Sequence, residues 1–467
     1  MAAAAPSAPG GADSPAPTRQ GDLYRVVWRW HFYAGLLALP WVLWLALTGG
    51  LYLFHQALDD RFHADLMRVP GTTAPHDGAA SAGPADWVRA AQQAHPGTLL
   101  GVTGPTAPGQ SARVELKTAD GAKRWVYLDP RDARVLGALP ERSTLGWTLR
   151  RLHSLKLVGP WARALIEITA GWTVLLVLTG LYLWWPRGRR QGVWSVRGRP
   201  GQRVFWRDLH ALTGLGVGGV LLLLALTGLP WSVFLGAQIN QWANSSHWGY
   251  PSGLRVNLPL STERLADVTE ASWSTSLAQL PQSAPAPGVE RLLPPLTLDQ
   301  LWPRVEVLGL APGWHLSAPR GPSGVWTASV YPADLAQQRV VHLDAYDGRV
   351  LIDMRWSDYG AAARALEWGI NVHLGQEFGA VNRWGLAAVC ALTVLLCLAA
   401  LPMWWWRRPR GQLGVPPRPR TPGATLGLAG LMLLGGVLMP LTGLSVLLMM
   451  GLDGLWLRRE RAQASGA

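Results

Sequence analysis

The sequence predicts an α-helical polytopic membrane protein with about five transmembrane helices, arranged as a tandem duplication and carrying two small periplasmic α+β domains. Three observations lead to this prediction. Five nearly uncharged segments each reach the roughly 20 apolar residues that cross a bilayer. Motifs around four histidines recur in both halves of the chain at fixed spacing. The two long segments between apolar spans mix acids with bases and contain strand patterns.

The apolar segments that define the predicted spans are 35–54, 165–185, 211–235, 385–406 and 426–450. Upstream of them, an Ala/Pro/Gly/Ser-rich segment is expected to be disordered, because its composition cannot bury a core. Charged residues rather than a small-residue cleavage site follow the first span. That span is therefore predicted to be an uncleaved anchor and not a signal peptide.

Most of the net charge, formally +13, belongs to two loops. Residues 186–207 include seven arginines and residues 404–422 include five, and neither loop has an acid. An excess of arginine marks cytoplasmic loops, so the long segments are predicted to be periplasmic in a bacterial inner membrane. Because the arginines adjoin span ends, topology and lipid headgroups explain the charge better than nucleic-acid binding does.

These assignments divide the whole chain. The predicted parts are a cytoplasmic N-terminus (1–24), helix 1 (25–54), a first periplasmic domain (55–150), an interfacial segment with helix 2 (151–186), a basic loop (187–207), helix 3 (208–236), a second periplasmic domain (237–367), an interfacial segment with helix 4 (368–406), a second basic loop (407–424), helix 5 (425–457) and a tail (458–467). The basic tail conflicts with a periplasmic C-terminus. Either the chain turns back near Pro440 or the tail departs from the charge rule.

The duplication is visible around the histidines. His31 lies 17 residues before Thr48, which a glycine follows, and His210 lies 17 residues before Thr227, which a glycine also follows. In the same way, 26 residues separate His153 from the Thr-Gly of the second span and His373 from the Ala-Ala of the fourth. Each repeat thus places one histidine near the start of each of its two helices.

Each long segment also contains a recognisable hairpin. Residues 124–137 and 339–352 both alternate apolar and polar side chains, turn at an aspartate and alternate again. Residues 84–97 have the pattern of a short amphipathic helix. The cysteines, Cys390 and Cys397, both lie in the fourth span, so they predict packing rather than a disulfide framework or a zinc site.

Over about residues 25–410 the chain resembles the PepSY-associated transmembrane family. The segments that carry the resemblance are WRWHFYAGL (28–36), LHSLKLVGPWAR (152–163), LTGLYLWWPR (178–187) and FWRDLHALTGL (205–215). The family includes inner-membrane ferric-siderophore reductases with two haems. The chain departs from the pattern at Ala399 and Ala400, where the other spans have Thr-Gly.

The resemblance and the repeat together imply two haems of the b type. Neutral imidazole is a common haem ligand, and a pseudo-two-fold axis along the membrane normal would pair His31 with His210 and His153 with His373. The arginines ten residues after the latter two histidines, Arg163 and Arg383, are expected to hold haem propionates. Alternatively, Arg163 pairs with Glu167.

The implied activity is reduction of a periplasmic acceptor, most simply a ferric siderophore, with release of ferrous iron. No flavin or nicotinamide domain is expected, so the donor would be membrane quinol or a cytoplasmic reductase. Two alternatives stay open: a haem-free PepSY-domain protein that binds or regulates a periplasmic peptidase or another partner, and a transporter. The transporter is disfavoured because the spans contain few ionisable groups. His55, near the end of the first span, is an additional candidate ligand.

Overall fold

The computed structural model describes residues 19–69, 82–159, 161–187, 192–245, 249, 257–283, 294–417 and 422–465. The chain forms two compact units. The first contains residues 1–40, 171–222 and 395–467, and the second contains residues 41–170 and 223–394.

The helices are α1 (Arg19–Tyr52), α2 (His55–Phe62), α3 (Ala64–Met67), α4 (Pro84–Ala94), α5 (Leu145–His153), α6 (Ala162–Trp184), α7 (Arg203–Gly228), α8 (Leu235–Ser245), α9 (Leu265–Val268), α10 (Leu298–Val307), α11 (Ala361–His373), α12 (Gly379–Trp405), α13 (Pro422–Leu438) and α14 (Pro440–Ser465). The strands are β1 (Gly97–Thr103), β2 (Ala112–Thr118), β3 (Lys123–Leu128), β4 (Val135–Pro140), β5 (Leu260–Arg264), β6 (Gln279–Pro281), β7 (His315–Ser317), β8 (Val325–Val330), β9 (Arg339–Asp344) and β10 (Val350–Arg355).

Among the described residues, four helices are long and apolar enough to cross a membrane: Gly21–Tyr52, Ala162–Trp184, Arg203–Trp231 and Gly379–Trp405. They coincide with the first four predicted spans. The first is 32 residues long, which at 1.5 Å per residue is about 48 Å, well beyond about 30 Å of hydrocarbon. Its ends therefore extend past the apolar layer.

The predicted fifth transmembrane helix is wrong, because the structure has a helical hairpin there. Helix α13 ends at Leu438 and α14 starts at Pro440, which has no N–H to continue the backbone hydrogen bonds of the helix. Glycines allow the tight turn, since a Cβ on Gly436 would lie 2.5 Å from the Cα of Gly443. Hydropathy alone does not distinguish a span from two packed shorter helices.

The side chain of Arg29 on α1 shows that the hairpin returns to the side where it began. The guanidinium donates to the carbonyl of Pro416, just before α13, at 2.7 Å and to Asp453 on α14 at 2.5 Å. The Tyr33 hydroxyl donates to the same carboxylate. Helix α14 therefore continues past Asp453 on the side from which α13 starts, and the conflict between the basic tail and the charge rule disappears.

This hairpin predicts where the C-terminus lies. In a Cys390→Ala, Cys397→Ala background, we expect an impermeant maleimide to label a cysteine tag appended after residue 467 from the same membrane side as Arg410→Cys. Asp120→Cys, in the exposed turn between β2 and β3, should be labelled from the opposite side. A tag that is labelled together with Asp120→Cys would contradict the hairpin.

Eight strands, four from each long segment, form one antiparallel sheet, ordered β10-β9-β8-β7-β1-β2-β3-β4. The two segments meet where β1 pairs with β7, with Val102 opposite Leu316. The prediction of two separate small domains is therefore corrected. Each segment alone would expose an unpaired strand edge, and joining the edges satisfies their backbone N–H and C=O groups. Strands β5 and β6 form a separate two-stranded sheet.

Both predicted hairpins are confirmed, β3–β4 and β9–β10. The buried carboxylate of Asp129 accepts the N–H of Arg131 at 3.0 Å, and that of Asp344 accepts the N–H of Tyr346 at 2.8 Å. These bonds close the turns locally. The predicted amphipathic helix is α4, which packs with α10 on one face of the sheet and buries Trp87 there.

Candidate functional site

The first histidine pair lies within the first unit. His31 on α1 and His210 on α7 have ring centroids 6.4 Å apart and planes at 86°. Both rings are half-buried. With metal–nitrogen bonds of about 2 Å, two imidazoles on opposite sides of one metal ion have centroids about 6 Å apart. The spacing of this pair therefore fits two axial ligands of a single iron.

The second pair lies within the second unit, at the ends of two short helices. His153 ends α5 and His373 ends α11. Burial lowers the pKa of His153 to about 4. Burial, with a smaller contribution from His153, lowers the pKa of His373 to about 4. Both imidazoles are consequently neutral at pH 7, which is the form that binds metal.

A threonine on a neighbouring helix holds each of three histidines. The Nδ1 atoms of His31, His153 and His373 lie 2.9, 3.0 and 2.9 Å from the hydroxyls of Thr179, Thr48 and Thr227, respectively. Each hydroxyl donates its own proton to a carbonyl of its helix. It must then accept from the imidazole, which fixes the proton on Nδ1 and leaves the lone pair on Nε2 for a ligand.

The glycine after each of these threonines makes room for the ring. A Cβ on Gly49 would lie 3.0 Å from Cε1 of His153, and one on Gly180 would lie 3.2 Å from Cε1 of His31. There is more space at Gly228, where a Cβ would lie 3.6 Å from Cε1 of His373. The recurring Thr-Gly motif thus has a physical meaning: the hydroxyl orients an imidazole and the missing side chain admits it.

His210 is the exception. Its repeat-equivalent Thr-Gly is replaced by Ala399 and Ala400, and its Nδ1 donates directly to the carbonyl of Leu396 at 3.1 Å. The proton is again on Nδ1. All four histidines therefore present the same free nitrogen, but one of them has a different hydrogen-bond acceptor.

The donor set suits a haem better than a bare metal ion. Among the described residues no group of three or more His, Cys, Asp or Glu is placed to hold a metal. A haem needs only two axial ligands from the protein, since its own nitrogens supply the rest. The paired imidazoles, their fixed tautomers and the first pair's spacing all fit that requirement.

Of the two arginines predicted to bind haem propionates, Arg163 lies near the second pair. Arg163 donates to the carbonyl of Trp231 at 3.1 Å, and the ring of Trp231 lies 6.1 Å from that of His373. The alternative pairing of Arg163 with Glu167 is not seen, and one oxygen of the Glu167 carboxylate instead accepts the N–H of Phe234 at 3.0 Å. The half-buried guanidinium of Arg383 makes no hydrogen bond or ion pair with any described residue.

Two neighbouring side chains fix the backbone beside these histidines. The indole of Trp44 on α1 donates to the carbonyl of Leu152 at 3.0 Å, next to His153. The amide of Asn382 donates to the carbonyl of Val372 at 3.2 Å, next to His373. His55, the additional candidate, instead stacks on Tyr52 with centroids 4.5 Å apart.

The residues that sequence analysis missed are the hydrogen-bond partners. Thr48, Thr179 and Thr227 served there only as markers of the repeat, although their fixed spacing from the histidines was the signal. No histidine bonds the threonine that follows it in its own repeat motif. The partner of each histidine lies on the other helix of the same repeat, which a linear spacing does not reveal.

Comparison with known proteins identifies the family. No curated protein matches the chain. A family model described as PepSY-associated TM region matches residues 28–408, more than half of the chain. The match contains all four histidines and the strands of the eight-stranded sheet. The chain is therefore a membrane protein that belongs to the PepSY-associated TM region family.

Proposed function

We propose that the protein is a di-haem b-type oxidoreductase of the bacterial inner membrane that reduces a periplasmic acceptor. The observation that carries the proposal is the arrangement of four imidazoles as two pairs, each with its proton held on Nδ1 by a partner on another helix. Such partners orient axial ligands and set their basicity.

The chain's own residues have distinct roles in this proposal. His31 and His210 would hold one haem, and His153 and His373 the other. When bound, each haem iron supplies one-electron chemistry by alternating between the ferric and ferrous states. The protein contributes axial ligation, apolar burial and oriented ligands.

Cations near the second pair support propionate binding. Lys156, three residues after His153, lies near Arg150 and Arg163. Partial burial and these arginines, followed by Arg142 and Arg151, lower the pKa of Lys156. A site surrounded by like charges favours an anionic group, and a guanidinium binds a carboxylate by charge-assisted hydrogen bonds. Arg163 and Arg383 are our candidates for that contact.

The acceptor that we propose is a ferric siderophore. The sheet lies in the same unit as the second pair, and the arginine-rich loops predict that this unit faces the periplasm. Ferric iron of the chelate would take one electron and leave as ferrous iron, which siderophores bind weakly. Membrane quinol or a cytoplasmic reductase would supply the electron.

The test combines cofactor content with turnover. We expect protein purified from haem-replete cells to contain two non-covalent b haems, since the chain has no Cys-x-x-Cys-His attachment motif. After reduction by dithionite, a ferric hydroxamate should reoxidise it, and a ferrous-selective chelator should capture the product.

The possible outcomes test the oxidoreductase assignment and the siderophore assignment separately. Protein without haem would overturn the oxidoreductase assignment and favour the haem-free binding or regulatory alternative. Haem that stays reduced with every ferric chelate, yet is reoxidised by another periplasmic acceptor, would overturn only the siderophore assignment.

A further inference from the structure

Helix α5 and the residues that follow it carry a group of exposed cations. Arg150, Arg151 and Lys156 are exposed, and both arginines lie close enough to act on the charge of Lys156. In the part of the chain that the structure describes, none of the three side chains forms an ion pair or a hydrogen bond. The guanidinium of Arg150 stacks on Trp147, 4.8 Å from the ring centroid, which leaves its in-plane N–H groups available. We call these three cations the basic cluster.

The second repeat has the same backbone at this point without the charges. The N–H of Lys156 bonds the carbonyl of Arg151 at 2.9 Å, and this bond closes the end of α5. The N–H of Gln376 bonds the carbonyl of Asn371 at 3.0 Å and closes α11 in the same way. Asn371 is buried, and its amide donates to the carbonyl of Ala333 at 2.8 Å. The protein therefore covers this helix face in the second repeat and leaves it open in the first.

Membrane topology does not explain the basic cluster. An excess of arginine and lysine marks the cytoplasmic side, whereas α5 belongs to a segment that is predicted to be periplasmic. The second repeat shows that the helix end forms without cations. Three neighbouring cations repel one another, so an anionic ligand would offset their repulsion.

The residues between the basic cluster and the next span indicate where such a ligand lies. Leu157, Val158 and Trp161 leave 46%, 54% and 67% of their surfaces exposed. Trp161 directly precedes α6, which is long and apolar enough to cross a membrane. Exposed apolar side chains beside a span contact the bilayer, and tryptophan is enriched at the level of the headgroups. Lys156 adjoins Leu157, so the basic cluster lies at the depth of lipid phosphates.

We propose that the basic cluster binds the headgroup of an anionic phospholipid in the membrane leaflet that borders α5. A guanidinium binds phosphate oxygens by charge-assisted, bidentate hydrogen bonds, and an ammonium adds a compact positive charge. Leu157 and Val158 would contact the acyl chains of the same lipid. The inference does not require a bound haem, and Arg163 stays our candidate for a propionate contact.

The first test is hydrogen exchange of the full-length protein in phosphatidylcholine nanodiscs with and without phosphatidylglycerol. We expect phosphatidylglycerol to slow exchange in residues 154–159 and to leave residues 374–379, the matched segment of the second repeat, unchanged. The triple variant Arg150→Gln, Arg151→Gln, Lys156→Gln should lose this difference. Arg150→Lys with Arg151→Lys should keep it, because the charges are kept.

The second test measures lipid binding to the purified protein by native mass spectrometry. Each basic residue at an anionic lipid surface is worth about a fivefold change in affinity. The triple variant should therefore bind phosphatidylglycerol about 100-fold more weakly, with phosphatidylcholine binding unchanged. The control variant Arg89→Gln, Lys117→Gln, Arg264→Gln removes three exposed cations elsewhere in the same unit and should bind like the wild type.

Equal losses in the triple and control variants would overturn the inference, because net charge alone would then explain the binding. Loss of haem from the triple variant with unchanged phosphatidylglycerol binding would overturn it as well and would assign these cations to the propionates. The comparison of the two wild-type segments needs no substitution, so it remains decisive if the triple variant does not fold. Equal protection of residues 154–159 and 374–379, or protection of neither, would contradict the proposed site.

Discussion

Replacing His373 by alanine is expected to remove one haem completely and leave the other in place. A haem that two imidazoles would hold should be held only weakly by one, and alanine cannot substitute for imidazole. His153→Ala should remove the same haem, because the two rings serve one iron in the proposed site. The double variant should then lose no more than either single variant.

The measurement is haem per protein by the pyridine haemochrome method, with the absorption spectrum of the remaining centre. His55→Ala is the matched control, since this histidine stacks on Tyr52 and should be replaceable without loss of either haem. Loss of both haems from one substitution, or additive loss within the pair, would contradict the pairing.

The second large effect concerns the join between β1 and β7. Leu316 on β7 is fully buried and pairs with Val102 across the join. Replacing it by alanine should destabilise the sheet by about 2–5 kcal/mol, the usual cost of truncating a buried leucine. Because one core extends across the join, hydrogen exchange should accelerate on both sides of it, in β2 and β3 as well as in β8 and β9.

Val350→Ala provides the control for this measurement, because Val350 lies on the edge strand β10 with 44% of its surface exposed. Its exchange effects should be small and local. Acceleration restricted to β7–β10 in Leu316→Ala would show that the two long segments are separate domains after all.

The sequence was sufficient for features that depend on local pattern. Hydropathy located the four long apolar helices, and period-two alternation located the β3–β4 and β9–β10 hairpins. The sequence was insufficient for contacts between segments that are far apart in the chain. The pairing of β1 with β7 joins residues more than 200 apart, and strand alternation carries no information about which edge a strand will find.

The prediction of a single fifth span, where the structure has a hairpin, failed for a related reason. The segment around Pro440 has enough apolar residues for one span, and tertiary contacts, such as those of Arg29 with Pro416 and Asp453, show that it turns back. In the candidate site, the repeat indicated which histidines matter. It did not indicate that Thr179 serves His31 and Thr48 serves His153, because those bonds cross between helices.

These hydrogen bonds between helices have a consequence for the folding and the cellular stability of the protein. His31 with Thr179 and His153 with Thr48 close the N-terminal half upon itself, and His373 with Thr227 does the same for the C-terminal half. Each histidine pair, by contrast, takes one ring from each half. Under the proposed function, haem iron would add a second link between the halves, beside the pairing of β1 with β7. Haem supply would then set how much protein survives quality control, since a ligand that binds only the assembled form stabilises it by mass action.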